Sequence, residues 1–203
     1  MTIIRGKINN QRKIHKKKSR SLIIGRFQPF HKGHLDFVHR VLQETDELII
    51  AIGSSQHNYI FKDPFTAGER ITMIHATLVD EKVDLSKIYI IPLSNIENNA
   101  LWLGYLQSML PEFDVVYSGN EFVSTLINDN IITSKNQKLD IEIRNPIFKM
   151  KKDYNGENIR NLIKSGQKWH HLVPPQVAHL IKMIDGVNRI KVISRTDSNP
   201  LKW

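Results

Sequence analysis

Short apolar runs alternate with amphipathic segments along most of this chain. Four runs are rich in β-branched residues and end at glycine, proline or a polar cluster, which is typical of buried strands. They occupy residues 21–25, 48–52, 88–91 and 115–117. Between them, apolar residues three and four positions apart predict helices at residues 35–42, 67–78 and 100–109. A helix near 121–129 and a strand near 139–144 complete the pattern.

This order of elements predicts an α/β fold. Near-continuous apolar strands joined by helices imply a parallel sheet with helices on both faces, a Rossmann-like doubly wound arrangement. Two more helices, at 158–165 and 175–185, predict a C-terminal helical segment, and the second starts at Pro174-Pro175. The sequence contains no internal repeat, so residues 21–203 are expected to form a single domain. Ligands of such sheets bind at the carboxyl ends of the strands, and the residues after each strand are therefore the candidates for a site.

The composition is that of an ordinary globular protein, with 203 residues, 40% hydrophobic and 24% charged. Cysteine is absent, which excludes disulfides, thiolate metal sites and cysteine nucleophiles. No apolar run approaches the ~18 residues of a membrane-spanning helix. No apolar segment follows the basic N-terminus as it would in a secretory signal. We therefore expect a cytoplasmic protein without a membrane association.

The net charge of +9 is concentrated at the N-terminus. Eight of the 29 lysines and arginines lie in residues 1–20, together with none of the 20 acidic residues, so the rest of the chain is almost neutral. Dense like charges with little apolar surface predict a disordered arm over residues 1–20. Two interpretations stay open: a solubilising or incidental arm, and an arm that binds polyanions weakly through counterion release.

The segment that follows the first strand has an unusual composition. Residues 25–34 read Gly-Arg-Phe-Gln-Pro-Phe-His-Lys-Gly-His. His31 and His34 are three residues apart and face one side of the first helical turn. Between a strand and a helix, free backbone N–H groups and the helix dipole favour an anion there. Two alternatives stay open: metal ligation by His-x-x-His, and one histidine packed in the core while the other caps the helix.

Residues 25–34 resemble the signature of the HIGH-type nucleotidyltransferases, and the full ten-residue string is similar to that of the archaeal type of nicotinamide-nucleotide adenylyltransferase. Other stretches agree with that family in order: residues 52–56, 63–70, 99–102, 117–120, and Trp169 with Leu172-Val173-Pro174. The resemblance covers about residues 21–190.

The resemblance implies a reaction in which ATP and nicotinamide mononucleotide (NMN) give NAD and pyrophosphate. The 5′-phosphate of NMN attacks the α-phosphorus of ATP in line, without a covalent enzyme intermediate. A phosphate oxygen is already nucleophilic at neutral pH, so the protein must mainly align two polyanions and stabilise the developing charge. The resemblance also implies Mg²⁺ bound to phosphate oxygens and water, with no protein metal ligand, and assembly as a hexamer.

The resemblance also implies which residues bind ATP. His31 and His34 would hydrogen-bond the phosphates, with His34 favouring the pentacoordinate α-phosphate, and Arg160 would bind the β- and γ-phosphates; these three form the catalytic set. The complete ATP-binding set is Gly25, Arg26, Phe27, His31, Gly33, His34, Ser118, Gly119, Asn120, Asn155, Gly156 and Arg160.

A second set is implied for NMN. Trp102 would stack on the cationic nicotinamide ring, Asn99 would hydrogen-bond its carboxamide, and Lys62 would reach the phosphate. Gly53, Ser54 and Phe65 complete this set. Two alternatives stay open: Trp102 as a core aromatic residue, and Arg70 as a structural partner of Glu69 or of another acid on its helix.

One motif departs from the family pattern. Where archaeal members have Tyr-Ser-Gly-Thr-x-[Ile/Val]-Arg, residues 154–160 read Tyr-Asn-Gly-Glu-Asn-Ile-Arg. Asn155 can still cap a helix, whereas the Glu157 carboxylate would repel a triphosphate. We therefore expect adenylyl transfer to be retained with weakened ATP affinity or a greater need for Mg²⁺.

Two other functions stay open from the sequence. The same fold could serve another phosphate acceptor, such as phosphopantetheine or a sugar or polyol phosphate, although Trp102 and Asn99 argue against it. A catalytically impaired nucleotide sensor or nucleic-acid-binding protein would use the basic arm and the altered motif at residues 154–160. The sequence does not distinguish NMN from nicotinic acid mononucleotide as the acceptor.

Overall fold

The structure, a computed structural model, describes residues 18–118, 121, 123–127, 141–145 and 154–195. Residues 1–17 of the predicted basic arm lie outside this range, as do the ATP-site candidates Gly119 and Asn120. Within the described ranges, no helix has the length and apolar character needed to cross a bilayer.

Five parallel strands form one sheet in the order β3-β2-β1-β4-β5. They are β1 (Arg20–Gly25), β2 (Glu47–Ile52), β3 (Ile88–Pro92), β4 (Val115–Tyr117) and β5 (Glu142–Arg144). The strand order reverses at β1, which pairs with both β2 and β4. This confirms the predicted doubly wound parallel sheet and places its ligand crevice at the carboxyl end of β1.

In the described residues, six helices with defined bounds accompany the sheet. They are α1 (Lys32–Glu44), α2 (Ala67–Asp80), α3 (Trp102–Met109), α4 (Gly156–Lys164), α5 (Pro175–Met183) and α6 (Gly186–Ile193). A 3₁₀ turn at Asn99–Leu101 precedes α3, and residues 121 and 123–127 are also helical. The predicted helix over 175–185 stops at Met183, and α6 was not predicted. Asp185, with φ of 54°, adopts the left-handed conformation that separates α5 from α6.

The two faces of the sheet are covered by different helices. On one face, the core contains Ile50 and Ile52 of β2 with residues from α1, α2, α4, α5 and α6. On the other face, Ile49 and Ala51 pack with residues from α3 and with Ile127. All six residues of β2 are buried, as the continuous apolar run predicted for a strand covered on both sides.

The folded region begins earlier than residue 21. Lys18 and Arg20 both bind the Glu47 carboxylate, and Ser19 hydrogen-bonds Asp46. Hydrogen bonds from Lys18 and Arg20 lower the pKa of Glu47 below its ordinary value. The last three residues of the predicted arm are therefore attached to the amino-terminal edge of the sheet, opposite the crevice.

Candidate active site

A cleft of about 480 Å³ opens at the carboxyl ends of the strands. Its walls come from the residues that follow β1 to β4 and from the start of α3; they include Gly25, Arg26, Gly53, Ser54, Ser94, Asn95, Asn99, Trp102, Tyr105 and Ser118. The cleft lies at the edge of the sheet that the strand pattern predicted.

The turns after β1 and β2 approach each other at the base of the cleft. The N–H of Gly53 donates to the carbonyl of Gly25 at 2.9 Å. A Cβ on Gly25 would lie 2.8 Å from the Phe27 ring, so any larger residue would displace that ring. Phe27 and Ser54, with φ of 52° and 50°, are both in the left-handed region, and such residues cluster at functional sites.

His31 and His34 cap the first turn of α1 reciprocally. The N–H of His34 donates to Nδ1 of His31, and the N–H of His31 donates to Nδ1 of His34, both at 3.2 Å. The two rings stack with their centroids 3.5 Å apart. This is a capping box in which imidazoles replace the usual hydroxyl and carboxylate. Both histidines therefore face one side of the turn, as their spacing predicted.

The capping bonds fix the protonation of both rings. A nitrogen that accepts a backbone hydrogen bond carries no proton, so each neutral ring has its proton on Nε2. Burial lowers the pKa of His31 to about 4. Burial, with a smaller contribution from the charge of His31, holds the pKa of His34 well below its ordinary value. At pH 7, the site presents two neutral Nε2–H donors side by side.

This geometry bears on the two alternatives for the histidine pair. Each Nδ1 already accepts a backbone N–H, so neither Nδ1 is available as a metal ligand. In the described part of the chain, no three His, Cys, Asp or Glu side chains cluster as metal ligands. Both histidines cap the turn, because each accepts a backbone N–H, whereas the alternative had one of them packed in the core and only the other as a cap.

Arg160 on α4 reaches the turn that precedes the histidines. Its Nη1 donates to the carbonyl of Gln28 at 2.7 Å, and the side chain is only 4% exposed. Its buried Nε has no hydrogen-bond partner among the described residues. A Cβ on Gly156 would lie 3.0 Å from the Gln28 carbonyl oxygen and 3.3 Å from Nη1, so glycine permits the close approach. A buried guanidinium with an unused N–H is well suited to bind an anion.

The altered motif forms the start of α4. The side chain of Asn155 accepts from the N–H of Glu157 at 2.8 Å, which confirms the predicted cap. This cap begins the helix at Gly156, two residues before the predicted start. Glu157 is exposed in the first turn. Burial lowers the pKa of the nearby Arg160, and the charge of Glu157 has a smaller effect that raises it.

Arg70 is a fully buried structural residue. Its guanidinium donates to the carbonyls of Arg26 and Gly53 at 2.9 Å, and to those of Ser54 and Thr66 at 3.2 Å. It thereby fixes the turns after β1 and β2. The alternative that paired it with Glu69 is wrong, because Glu69 forms its ion pair with Arg189 at 2.7 Å.

The residues implied for NMN fall into three groups. Gly53, Ser54, Asn99 and the half-buried Trp102 line the cleft together. Lys62 is exposed on the loop before α2 and is not part of the cleft wall. Phe65 is 0% exposed within the core and is not part of the cleft wall, so its implied role in binding NMN stays a prediction.

Several residues of the site were not predicted. Asp63 is a buried carboxylate whose Oδ1 lies 3.4 Å from Nη1 of Arg26. Asn95 lines the cleft and accepts from the Ser54 hydroxyl at 3.2 Å, while the Tyr105 hydroxyl accepts from the N–H of Ser94. Two signals were available: Ser94 and Asn95 come just after the third strand, and Asp63 begins the stretch 63–70 that agrees with the family.

The chain is similar to a group of archaeal enzymes over most of its length. The model of the cytidylyltransferase-like family matches residues 22–164. Proteins named nicotinamide-nucleotide adenylyltransferase are 44% identical in Pyrobaculum arsenaticum and 45% in Caldivirga maquilingensis, over 91% of this chain and 99% of theirs. The Methanococcus vannielii protein of that name is 40% identical over 88% of this chain and 96% of its own.

Solved structures show the same fold at lower identity. A bifunctional NMN adenylyltransferase/ADP ribose pyrophosphatase from Francisella tularensis, complexed with AMP and a manganese ion, superposes with a TM-score of 0.67 at 20% identity. The match covers 89% of this chain and 53% of that chain, so this chain spans about half of the bifunctional protein. A second structure of that protein gives a TM-score of 0.69 at 21% identity.

Proposed function

The chain belongs to the nicotinamide-nucleotide adenylyltransferases, within the cytidylyltransferase-like family, and on that basis we propose that the cleft and the adjoining histidine turn form its active site. The activity itself follows from membership: the adenylyl group of ATP passes to NMN, giving NAD and pyrophosphate. The resemblance carried by residues 25–34 is thereby confirmed.

The observation that carries the proposal is the pair of neutral imidazoles. His31 and His34 offer two Nε2–H donors on stacked rings at the start of a helix, where the dipole also favours an anion. Arg26 and Arg160 supply positive charge beside them. Because these donors are held in place by the capping bonds, little reorganisation is needed when charge develops on the α-phosphate.

The chemistry proposed is direct displacement. An oxygen of the NMN phosphate attacks the α-phosphorus of ATP in line, the bond to the bridging oxygen breaks, and pyrophosphate leaves with that electron pair. His34 donates to a non-bridging oxygen of the α-phosphate, and His31 and Arg160 bind the β- and γ-phosphates. The protein acts by alignment and charge stabilisation, without a covalent intermediate.

The cleft beside this turn suits the second substrate. Trp102 presents an aromatic surface for the pyridinium ring, and Asn99 with Ser54 offers neutral polar groups for its carboxamide. Arg26 lines the cleft beside the histidine turn, and we assign it to the phosphates of ATP. Lys62, exposed on its loop, is proposed to reach the NMN phosphate only when the nucleotide is bound.

A divalent cation, Mg²⁺ in this proposal, accompanies ATP. The described residues offer no cluster of three carboxylate or imidazole ligands, which suits an ion carried by phosphate oxygens and water. When bound, the ion neutralises charge on the triphosphate.

We further propose a cytoplasmic homo-oligomer, a hexamer by resemblance. Light scattering coupled to size-exclusion chromatography measures the oligomer directly, and a monomer at micromolar concentration would contradict it. The basic arm is proposed to bind polyanions weakly, so heparin retention should fall when its lysines are replaced.

The test of the proposed function is product formation by the full chain. ATP, Mg²⁺ and either NMN or nicotinic acid mononucleotide are incubated with the protein, and dinucleotide and pyrophosphate are quantified by chromatography. We expect stoichiometric NAD and pyrophosphate from NMN, with His34→Ala strongly impaired. Absence of NAD formation by the wild-type protein would contradict the proposal.

A further inference from the structure

Asp63 is a buried acidic residue beside the proposed phosphate site. It is 3% exposed, and its Oδ1 lies 3.4 Å from Nη1 of Arg26. Its charge also acts on Arg70 and Arg160. Burial has the largest effect on these two guanidinium groups and lowers the pKa of both, whereas the charge of Asp63 raises the pKa of both. One carboxylate therefore lies among three guanidinium groups.

The three arginines differ in how firmly they are held. Arg70 is fully buried and donates hydrogen bonds to four carbonyl groups. Arg160 is 4% exposed and donates to the Gln28 carbonyl. The side chain of Arg26 is 42% exposed, and its hydrogen bond to Asp63 is long. The positive charges of Arg70 and Arg160 repel that of Arg26. Without Asp63, the Arg26 side chain would turn towards solvent, away from the other two.

The backbone of Asp63 is fixed on both sides. Its N–H donates to the Ile60 carbonyl at 2.9 Å, and the N–H of Ile60 donates back to the Asp63 carbonyl, which closes a tight turn. Two residues later, both backbone groups of Phe65 bind the Gln28 side chain. The carboxylate is therefore held at a defined place relative to the turn that carries Arg26.

We infer that Asp63 is a positioning residue that holds the Arg26 guanidinium at the junction of the cleft and the histidine turn, ready for the phosphates of ATP. This inference rests on the proposed function of that site. Asp63 acts through Arg26 and does not contact the reacting atoms. Its removal should weaken ATP binding and leave NMN binding much less affected.

A double-mutant cycle on Asp63 and Arg26 tests this inference. Binding of Mg²⁺·ATP is measured by equilibrium dialysis for the wild type, Asp63→Asn, Arg26→Ala and the double variant. We expect Asp63→Asn to raise the ATP dissociation constant ~10-fold in the wild type and less than ~2-fold in the Arg26→Ala background. If Asp63→Asn raised the ATP dissociation constant by the same factor with and without Arg26, the inference would be overturned.

Asp36→Asn is a matched control, because it removes an exposed aspartate that pairs with Arg40 on α1. It should leave the ATP dissociation constant unchanged. If Asp63→Asn does not fold, the smaller Asp63→Ser gives the same comparison. In steady-state assays, Asp63→Asn should raise the KM for ATP more than that for NMN, and equal effects on both would count against it.

The readouts separate two kinds of failure. If the proposed function is wrong, the wild-type protein will form no NAD. If only the role of Asp63 is wrong, Asp63→Asn and Arg26→Ala will have independent effects on Mg²⁺·ATP binding, a measurement that requires no turnover.

Discussion

The side chain of Gln28 hydrogen-bonds both backbone groups of Phe65. Its Nε2 donates to the Phe65 carbonyl at 2.9 Å, and its Oε1 accepts the Phe65 N–H at 3.0 Å. The backbone carbonyl of Gln28 accepts from Arg160. One buried residue thus joins the turn after β1, the loop before α2 and the helix that carries Arg160.

Replacing Gln28 by leucine should destabilise the protein by about 2–4 kcal/mol, because two buried backbone groups of Phe65 lose their partners. Urea unfolding followed by circular dichroism measures this. The KM for ATP should rise as well, since the loop that carries Asp63 is no longer fixed.

Gln167→Leu is the control for this substitution, because Gln167 is exposed after α4. It should change the free energy of unfolding by less than ~0.5 kcal/mol. Similar losses in both variants would show that the Gln28 side chain has no special role.

The capping and ligand-binding roles of His31 can be separated. Asparagine is a good N-cap but lacks the second ring nitrogen, so His31→Asn should keep the stability and lose the Nε2–H donor. His31→Ala should lose both, with a stability cost of ~1 kcal/mol.

For His34→Ala, kcat should fall ~10²-fold or more, since its donor serves the transition state. Thermal unfolding and initial rates of NAD formation distinguish the three variants.

Stability should depend on pH through the same histidine. Because the pKa of His31 is about 4 in the folded protein and about 6.5 when unfolded, the unfolded chain binds more protons between these values. The contribution of His31 to stability is therefore unaffected above pH 6.5 and falls as the pH drops towards 4, by ~3 kcal/mol at most. Urea unfolding at pH 7.5 and 5 should show a smaller difference in His31→Asn. Titration of the His31 ring near pH 6.5 in the free protein, followed by NMR, would contradict this.

Much of the fold was predictable because it depends on local patterns. The apolar runs located all four strands that they predicted, and the pair His31 and His34 was recognisable from spacing alone. Asn155 was predicted as a cap from its side chain and its position. Each of these inferences needs only a few neighbouring residues.

The rest of the site depends on contacts between distant segments. Gln28 and Phe65 are 37 residues apart, and Arg160 binds a carbonyl 132 residues away. No local pattern shows that Phe65 faces the core or that Arg70 binds carbonyls and not Glu69. The family-like stretch 63–70 begins at Asp63, but the role we infer for its carboxylate depends on the arginines that the fold brings around it.

Trp102 should contribute mainly to binding NMN. Trp102→Leu keeps apolar volume near the cleft but removes the aromatic face, so the KM for NMN should rise ~10-fold while the KM for ATP changes little. Both constants come from initial-rate assays with the other substrate saturating. An equal rise in both would indicate that Trp102 supports the fold of the cleft and not the pyridinium ring.

Glu157 is the residue most easily tested for an effect on ATP affinity. Its carboxylate is exposed in the first turn of α4, and its charge acts on Arg160. A repulsion of ~1 kcal/mol corresponds to a ~5-fold change, so Glu157→Thr should lower the KM for ATP by about that factor. Added salt should reduce the difference between the two proteins, since exposed charges are screened.

Glu157→Gln identifies the cause, because it removes the charge and keeps the size. If repulsion is responsible, glutamine and threonine should lower the KM for ATP equally, whereas an effect of threonine alone would point to its hydroxyl. Glu81→Gln, at the exposed end of α2, should have no effect. If neither change at Glu157 lowers the KM, then the carboxylate does not weaken ATP binding.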